Sequence, residues 1–136
     1  MNKVKVFAAF AISTRVHNGH VEVAATTRPD RSIGLPGGKL EPCDRGFGSL
    51  AAHREAGEEG WELGYPDPIP MHKSVVDGRV VEWYYFPATG YAKSVFKEMG
   101  RIKPIWVPIE SIKGFGNEAA LASIKCNRHT IHPGFL

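Results

Sequence analysis

Residues 37–61 read GGKLEPCDRGFGSLAAHREAGEEGW. Glu55, Glu58 and Glu59 crowd the end of a predicted helix, and Arg54 is the cation beside them in sequence. A helix advances about 100° per residue, so Glu55 and Glu59 stand roughly 40° apart around the axis and Glu58 roughly 60° to the other side of Glu55. Like charges at this spacing destabilise an isolated helix by about a few tenths of a kcal/mol per pair. Gly57, in the same turn, costs roughly 1 kcal/mol relative to alanine. A helix that accepts both penalties has two readings. One is an ordinary solvated acidic end. The other is a carboxylate face built for a hard divalent cation such as Mg2+, which takes oxygen ligands, keeps several waters and bridges protein carboxylates to substrate phosphates.

The flanks place this helix between strands. Residues 32–40 form a short extended piece broken at Pro36-Gly37-Gly38, where a glycine pair permits unusual backbone angles or close approach to a ligand. A flexible Gly-rich loop runs to Gly48, Ser49 is the expected N-cap, and the helix ends near Gly60. Residues 60–70, rich in glycine and proline, read as a long connection. Upstream, residues 4–12 and 21–26 are apolar strands around Asn18-Gly19, a strong hairpin signal. Downstream, residues 71–76 and 79–86 are joined by Asp77-Gly78, a second one. Residues 90–103 read as an irregular loop. Residues 105–109 form a strand whose Pro104 and Pro108 mark an edge or a strand end. Residues 117–126 form a last helix with Asn117 as its cap, and an irregular tail follows. Strands, helix, strands, helix is the order of an α+β domain with helices packed on a sheet.

Bulk properties agree. The 136 residues are 43% apolar and 23% charged, which suits one domain, residues 1–136, with a real core. The net charge of +3 suits a polyanionic ligand without demanding nucleic acid. Cys43 and Cys126 give no disulfide framework, so a reducing cytoplasm is the expected location. The N-terminal run faintly resembles a signal peptide, but polar residues soon follow and it reads as a buried strand. No stretch approaches the roughly 20 apolar residues of a membrane span. His17 and His20 flank a hairpin tip, and Cys126, His129 and His132 lack a fourth ligand, so neither set makes a zinc pattern. Trp83, Tyr84 and Tyr85 read as core and sheet surface before they read as a platform for a base.

With Leu35-Pro36-Gly37-Gly38-Lys39-Leu40-Glu41 in front of it, Arg54-Glu55-Ala56-Gly57-Glu58-Glu59 closely resembles the signature of the Nudix hydrolases. Gly38 opens that pattern, and the segment from Arg54 to Glu59 matches its catalytic half in full. Two departures stand out. Asp44 occupies a position where the family usually has Glu, and nine residues rather than seven separate it from Arg54. The extra two fall within residues 45–47, in the loop before the helix, where insertions are cheap. The changed spacing leaves open whether Asp44 pairs with Arg54. After Glu59 the chain reaches Gly60-Trp61 one residue early.

The resemblance implies an α/β/α sandwich, a mixed sheet with the catalytic helix packed on it. It implies water-driven cleavage of a nucleoside diphosphate linked to a group X, with Mg2+ or, as a substitute, Mn2+. Glu55, Glu58 and Glu59 would be metal ligands, with a backbone carbonyl of Gly38 or Gly37 as a further oxygen. Arg54 would orient Glu55. The water-activating base would be Glu55 or Glu98, the latter from a loop before the last strand. Arg28, Arg31 and Lys39 would meet phosphates or the nucleotide; as bare sequence they read equally well as surface charge. Small size suits a MutT-like enzyme acting on nucleoside triphosphates. ADP-ribose, dinucleoside polyphosphates or a capped RNA end are the alternative substrates, and a catalytically silent nucleotide sensor is the alternative class. Other nucleic acid and membranes are not expected as partners. A homodimer is left open, since family members often pair.

Overall fold

The computed structural model describes residues 5–65, 69–91, 103–114 and 116–126. Strand β1, Val6–Ile12, lies inside a four-stranded sheet. Its neighbours are β5, Gly37–Lys39, and β8, Arg79–Tyr85, and β7, His72–Val76, forms the far edge. β1 and β8 run parallel while the other pairs are antiparallel, so the sheet is mixed. In a second sheet β3, His20–Thr27, pairs along one side with β10, Lys103–Pro108. Along its other side it pairs with β2, Thr14–His17, and with β4, Ile33–Gly34. A small third pair joins β6, Trp61–Leu63, to β9, Ala88–Tyr91.

Both sequence-predicted hairpins are present. Asn18 and Gly19 have φ of 51° and 78°, and Asp77 and Gly78 have 50° and 75°. Two consecutive positive φ values give a turn whose twist matches the strands it joins, and Asn-Gly and Asp-Gly tolerate them best. β10 is an edge strand, as its prolines require.

The single-layer alternation of β1 divides the core. Ala9 and Ala11 face helix α1, Gly48–Glu58, together with Trp61, Tyr84 and Phe86. Ala8 and Ile12 face the opposite way, into a cluster with Trp83, Val107 and Ile112 on which Ala120 and Leu121 of α2, Asn117–Cys126, also pack. The helices thus lie on opposite sides of the mixed sheet, and the α/β/α sandwich expected from the sequence is the fold observed. α1 presents Ala51, Ala52 and Ala56 to the sheet. These methyl-sized contacts let its backbone sit close to β1 and β5.

Several local expectations are corrected. Ser49 is inside the first turn of α1; the N-cap is Phe47, which makes no side-chain cap bond. Glu82 lies against the first helical residue: a Cβ on Gly48 would stand 2.5 Å from Glu82 Oε1. Asn117 does not serve as a side-chain cap, because its Oδ1 accepts a 2.9 Å bond from Trp83 Nε1 and so ties α2 to β8. The connection over residues 60–70 contains β6, which propensity hides because Trp61-Glu62-Leu63 is short and follows a glycine. The expected loop over residues 90–103 begins within β9. The loop before α1 contains a 3-10 turn, Pro42–Asp44. Trp83, Tyr84 and Tyr85 are all buried, so none is a platform for a base. Among the described residues no helix is long and apolar enough to cross a membrane.

Candidate active site

α1 carries Arg54, Glu55, Glu58 and Glu59 to the edge of the mixed sheet, beside β5 and the end of β3. Arg54 organises the cluster. Its Nε and Nη2 donate to Asp44 Oδ1 and Oδ2 at 3.1 and 2.9 Å, a bidentate pair. Its Nη1 reaches Glu55 Oε1 at 3.1 Å and Glu58 Oε1 at 3.4 Å, and Glu41 Oε2 lies 3.5 Å away. Asp44 is 2% exposed, so its partner is fixed from the inside of the protein. Its Oδ2 also accepts from the Glu41 backbone N–H at 2.8 Å, which locks the 3-10 turn.

The longer spacing therefore does not separate Asp44 from Arg54. Arg45, with φ 52°, and Gly46, with φ 81°, form a left-handed kink that absorbs the extra chain between the turn and the helix.

The three helical carboxylates sit in different surroundings. Hydrogen bonding from Arg54 holds Asp44 below its ordinary pKa, and Asp44 in turn raises that of Arg54. Burial pushes Glu55 up, opposed by Arg54. Burial pushes Glu59 further, to about 7, although the Thr26 hydroxyl donates to its Oε2 at 2.9 Å. No cation in the described residues forms an ion pair with Glu59 within 4.0 Å; Arg28 acts on it only at longer range. A buried carboxylate whose charged form is disfavoured in this way gains from an incoming positive charge.

Gly38 faces this cluster, and a Cβ there would stand 2.9 Å from Glu55 Cδ. Gly37 has φ 151°, and a Cβ would stand 2.4 Å from the Ala9 carbonyl oxygen, so β5 approaches β1 too closely for any side chain. The glycine pair is thus a packing requirement on one residue and a clearance for Glu55 on the other.

Do these residues fit a divalent ion? Among the described residues no three His, Cys, Asp or Glu side chains enclose a metal position. Mg2+ does not require such a cage, since it is commonly held by one or two carboxylates, waters and substrate phosphates. An all-oxygen donor set with one uncompensated buried member fits that mode.

Next to Gly38 opens a cavity of about 600 Å3 between the mixed sheet, β4 and the start of α2. Arg28 and Lys39 line it, as expected of phosphate-binding candidates. The Arg28 guanidinium lies over Gly34, where a Cβ would be 2.4 Å from its Nη2. Arg31 is exposed at a left-handed turn position with φ 69° and does not line the cavity. Glu98 lies outside the described residues, as do His129 and His132. Phe7, Phe10, Arg79 and Lys113 line the cavity without having been singled out in the sequence. Only their arrangement in space distinguishes them.

The mixed sheet, the helix laid on it and the Gly38-to-Glu59 cluster at its edge decide the comparison with solved structures. The chain has the Nudix fold. A candidate nudix hydrolase family member from Chromobacterium violaceum superposes with TM-score 0.64 at 20% identity, covering 98% of this chain and 85% of that one. The NUDIX domain of Shewanella oneidensis NrtR, complexed with ADP ribose, gives TM-score 0.60 at 16% identity, covering 95% and 91%. A C. elegans Ap4A hydrolase gives 0.56 at 16% identity, covering 93% and 99%. No family model and no curated protein matches the sequence. The Nudix fold is therefore shared at identities where only architecture carries over, and the chemistry rests on this chain's own residues.

Proposed function

We propose that this chain is a Mg2+-dependent pyrophosphohydrolase that splits a nucleoside diphosphate linked to X, with nucleoside triphosphates, cut to monophosphate and pyrophosphate, as its main substrates. One observation carries the reading. Arg54 is clamped by buried Asp44 on one side and holds Glu55 and Glu58 on the other, and Glu55 lies against Gly38, which also lines a cavity with Arg28 and Lys39. Glu55, Glu58 and Glu59 would hold the metal, with the Gly38 carbonyl as a further oxygen. The bound metal would neutralise charge on the phosphate oxygens and lower the pKa of the attacking water. The chain's own part is positional. Arg54 sets the Glu55 carboxylate, and burial raises the proton affinity of Glu55, which suits it to take a proton from water. Arg28 and Lys39 would bind the phosphate chain. Cys43 is a free, exposed thiol, in keeping with a reducing cytoplasm.

A panel of nucleoside triphosphates, ADP-ribose and diadenosine polyphosphates, with Mg2+ and with chelator, tests the reading through released phosphate and pyrophosphate. Activity should vanish in chelator and return with Mg2+ or Mn2+. Full turnover in chelator would sink the metal mechanism. ADP-ribose or a dinucleoside polyphosphate preferred by about tenfold or more would replace the triphosphate reading, and the ligand and substrate named for two structural neighbours keep both in the panel. Binding without turnover of any of them would mean a nucleotide-sensing module. Glu98→Gln separates the two candidate bases: a loss of about 10²–10⁴-fold assigns the role to Glu98, and a tenfold loss or less returns it to Glu55.

A further inference from the structure

Arg54 holds two of the three clustered carboxylates and leaves the third. Glu59 lies past the last residue of α1, as its C-cap, with φ −90° and ψ 4°. Helical geometry therefore does not by itself aim its side chain. Among the described residues Glu59 has no ion pair within 4.0 Å. Its support comes from β3.

The early stop of the helix docks its end on that strand. Gly60 has φ 99°, a left-handed value that favours glycine, and it turns the backbone directly into Trp61. Trp61 is 1% exposed, and its Nε1 donates to the Ala25 carbonyl oxygen at 2.9 Å. One residue further along β3, the Thr26 hydroxyl donates to Glu59 Oε2 at 2.9 Å. The two bonds tie consecutive residues of the strand to the residues on either side of Gly60. A weaker bond from the Gly37 backbone assists at Glu59.

Thr26 is a stiff arm. It is 2% exposed and held in register from both sides, by Pro104 of β10 and Gly34 of β4. A β-branched side chain has few χ1 choices. Alternation puts it on the side of β3 where Ala24 meets the alanine face of α1. The chemistry of the donor matters as much as its stiffness. Arg54 aims Glu55 and Glu58 and also offsets their charge. A hydroxyl aims Glu59 and leaves its negative charge for a cation.

We infer that Thr26 is a positioning residue for the metal, its hydroxyl setting the Glu59 carboxylate as an uncompensated anionic ligand. The inference rests on the reading that Glu55, Glu58 and Glu59 hold a divalent ion.

Mn2+ binding to the full chain without nucleotide, followed by calorimetry, tests this apart from turnover. Thr26→Val keeps the shape and removes the hydroxyl. Mn2+ affinity should fall by about tenfold or more, the scale for losing a hydrogen-bond partner of a metal ligand. Thr26→Ser should restore most of the affinity. In Glu59→Gln, adding Thr26→Val should cost little more, because the ligand it serves is already gone. In turnover, Thr26→Val should raise the Mg2+ concentration for half-maximal rate more than it lowers the rate at saturating Mg2+. Thermal melts establish that the variants fold, and Thr26→Ala carries the comparison if valine does not. Native affinity in the folded hydroxyl-free variant, or a loss in Thr26→Ser as large as in Thr26→Val, overturns the role of Thr26 and leaves the metal reading standing. A native chain that binds no Mn2+ also overturns it, and recovery of rate by Mg2+ after chelation then decides whether the metal reading survives.

Discussion

The two faces of the mixed sheet differ in size of residue and in sign of charge. On one face β1 offers Ala9 and Ala11, and α1 answers with Ala51, Ala52 and Ala56. Small side chains bring the helix down on the sheet, and its far end gathers Glu55 and Glu58 around Arg54, with Glu59 beside them bonded to Thr26. On the other face stand Phe7 and Phe10, and the cations there lack carboxylate partners among the described residues. On the acidic face Arg54 pairs with Glu41, Asp44, Glu55 and Glu58 while Glu59 has no ion pair, and on the cationic face none of Arg28, Lys39, Arg79 and Lys113 has one among the described residues. A single strand thus separates the side that would carry the reaction from the side that would recognise the nucleotide.

The sharpest way to break this contrast is at the acidic face. Glu58→Gln and Glu59→Gln keep size and remove charge, so each should lower kcat by orders of magnitude with the fold retained. Wild-type rates for both, in a steady-state assay with Mg2+, would reduce the cluster to a solvated helix end.

Asp44→Asn tests whether the buried clamp matters as much as the carboxylates it supports. It leaves the Arg54 guanidinium with a neutral partner inside the protein. Unfolding in urea should show a loss of about 2 kcal/mol, the scale of a hydrogen bond to a charged group. kcat should fall more than KM rises, because Glu55 loses its orientation. Unchanged stability and kcat would show that Arg54 holds the cluster without Asp44.

The sign of charge on Glu59 can be followed by pH. In chelator its folded pKa of about 7 stands above the unfolded value of 4.5, so the native state binds the extra proton between them. Stability must then fall as pH rises from about 4.5 to about 7 and stay reduced above that. Thermal melts across this range should show a larger loss in the native chain than in Glu59→Gln, where only the smaller share of Glu55 remains. Equal pH slopes in both would remove Glu59 as its source.

The smallest effect concerns Gly57. A Cβ there would meet nothing within 4 Å. Gly57→Ala should stabilise by about 1 kcal/mol through helix propensity. A gain in stability with a loss of activity would show that a substrate passes over that bare turn.

What could be read in the sequence divides along physical lines. Asn18-Gly19 and Asp77-Gly78 announce themselves because positive φ restricts which residues can stand there. The helix from Gly48 to Glu58 and its acidic arc follow from a fixed rotation per residue. The fold followed from the motif's resemblance, and the strand order agrees with it. Ser49 misled as a cap because the helix starts two residues earlier than its preference suggests, and Asn117 because cap preference is local while Trp83 arrives from β8. The Asp44–Arg54 pair was obscured because a count of residues does not show how a left-handed kink shortens the path. Phe7 could not be placed, since the register shift of β1 against β8 between Val6 and Ala8 is a relation between two strands and β1 alone does not contain it.

The kink at Arg45 and Gly46 also bears on how this chain could be altered by design. A Cβ on Gly46 would meet nothing within 4 Å, and Phe47 beside it is 60% exposed. Asp44 is anchored before the kink and the alanine face of α1 after it. Segment length between those anchors is therefore decoupled from the spacing of the carboxylates. Residues 45–47 form a natural splice point, where a tag or a sensor peptide could be inserted while the machinery on either side keeps its register.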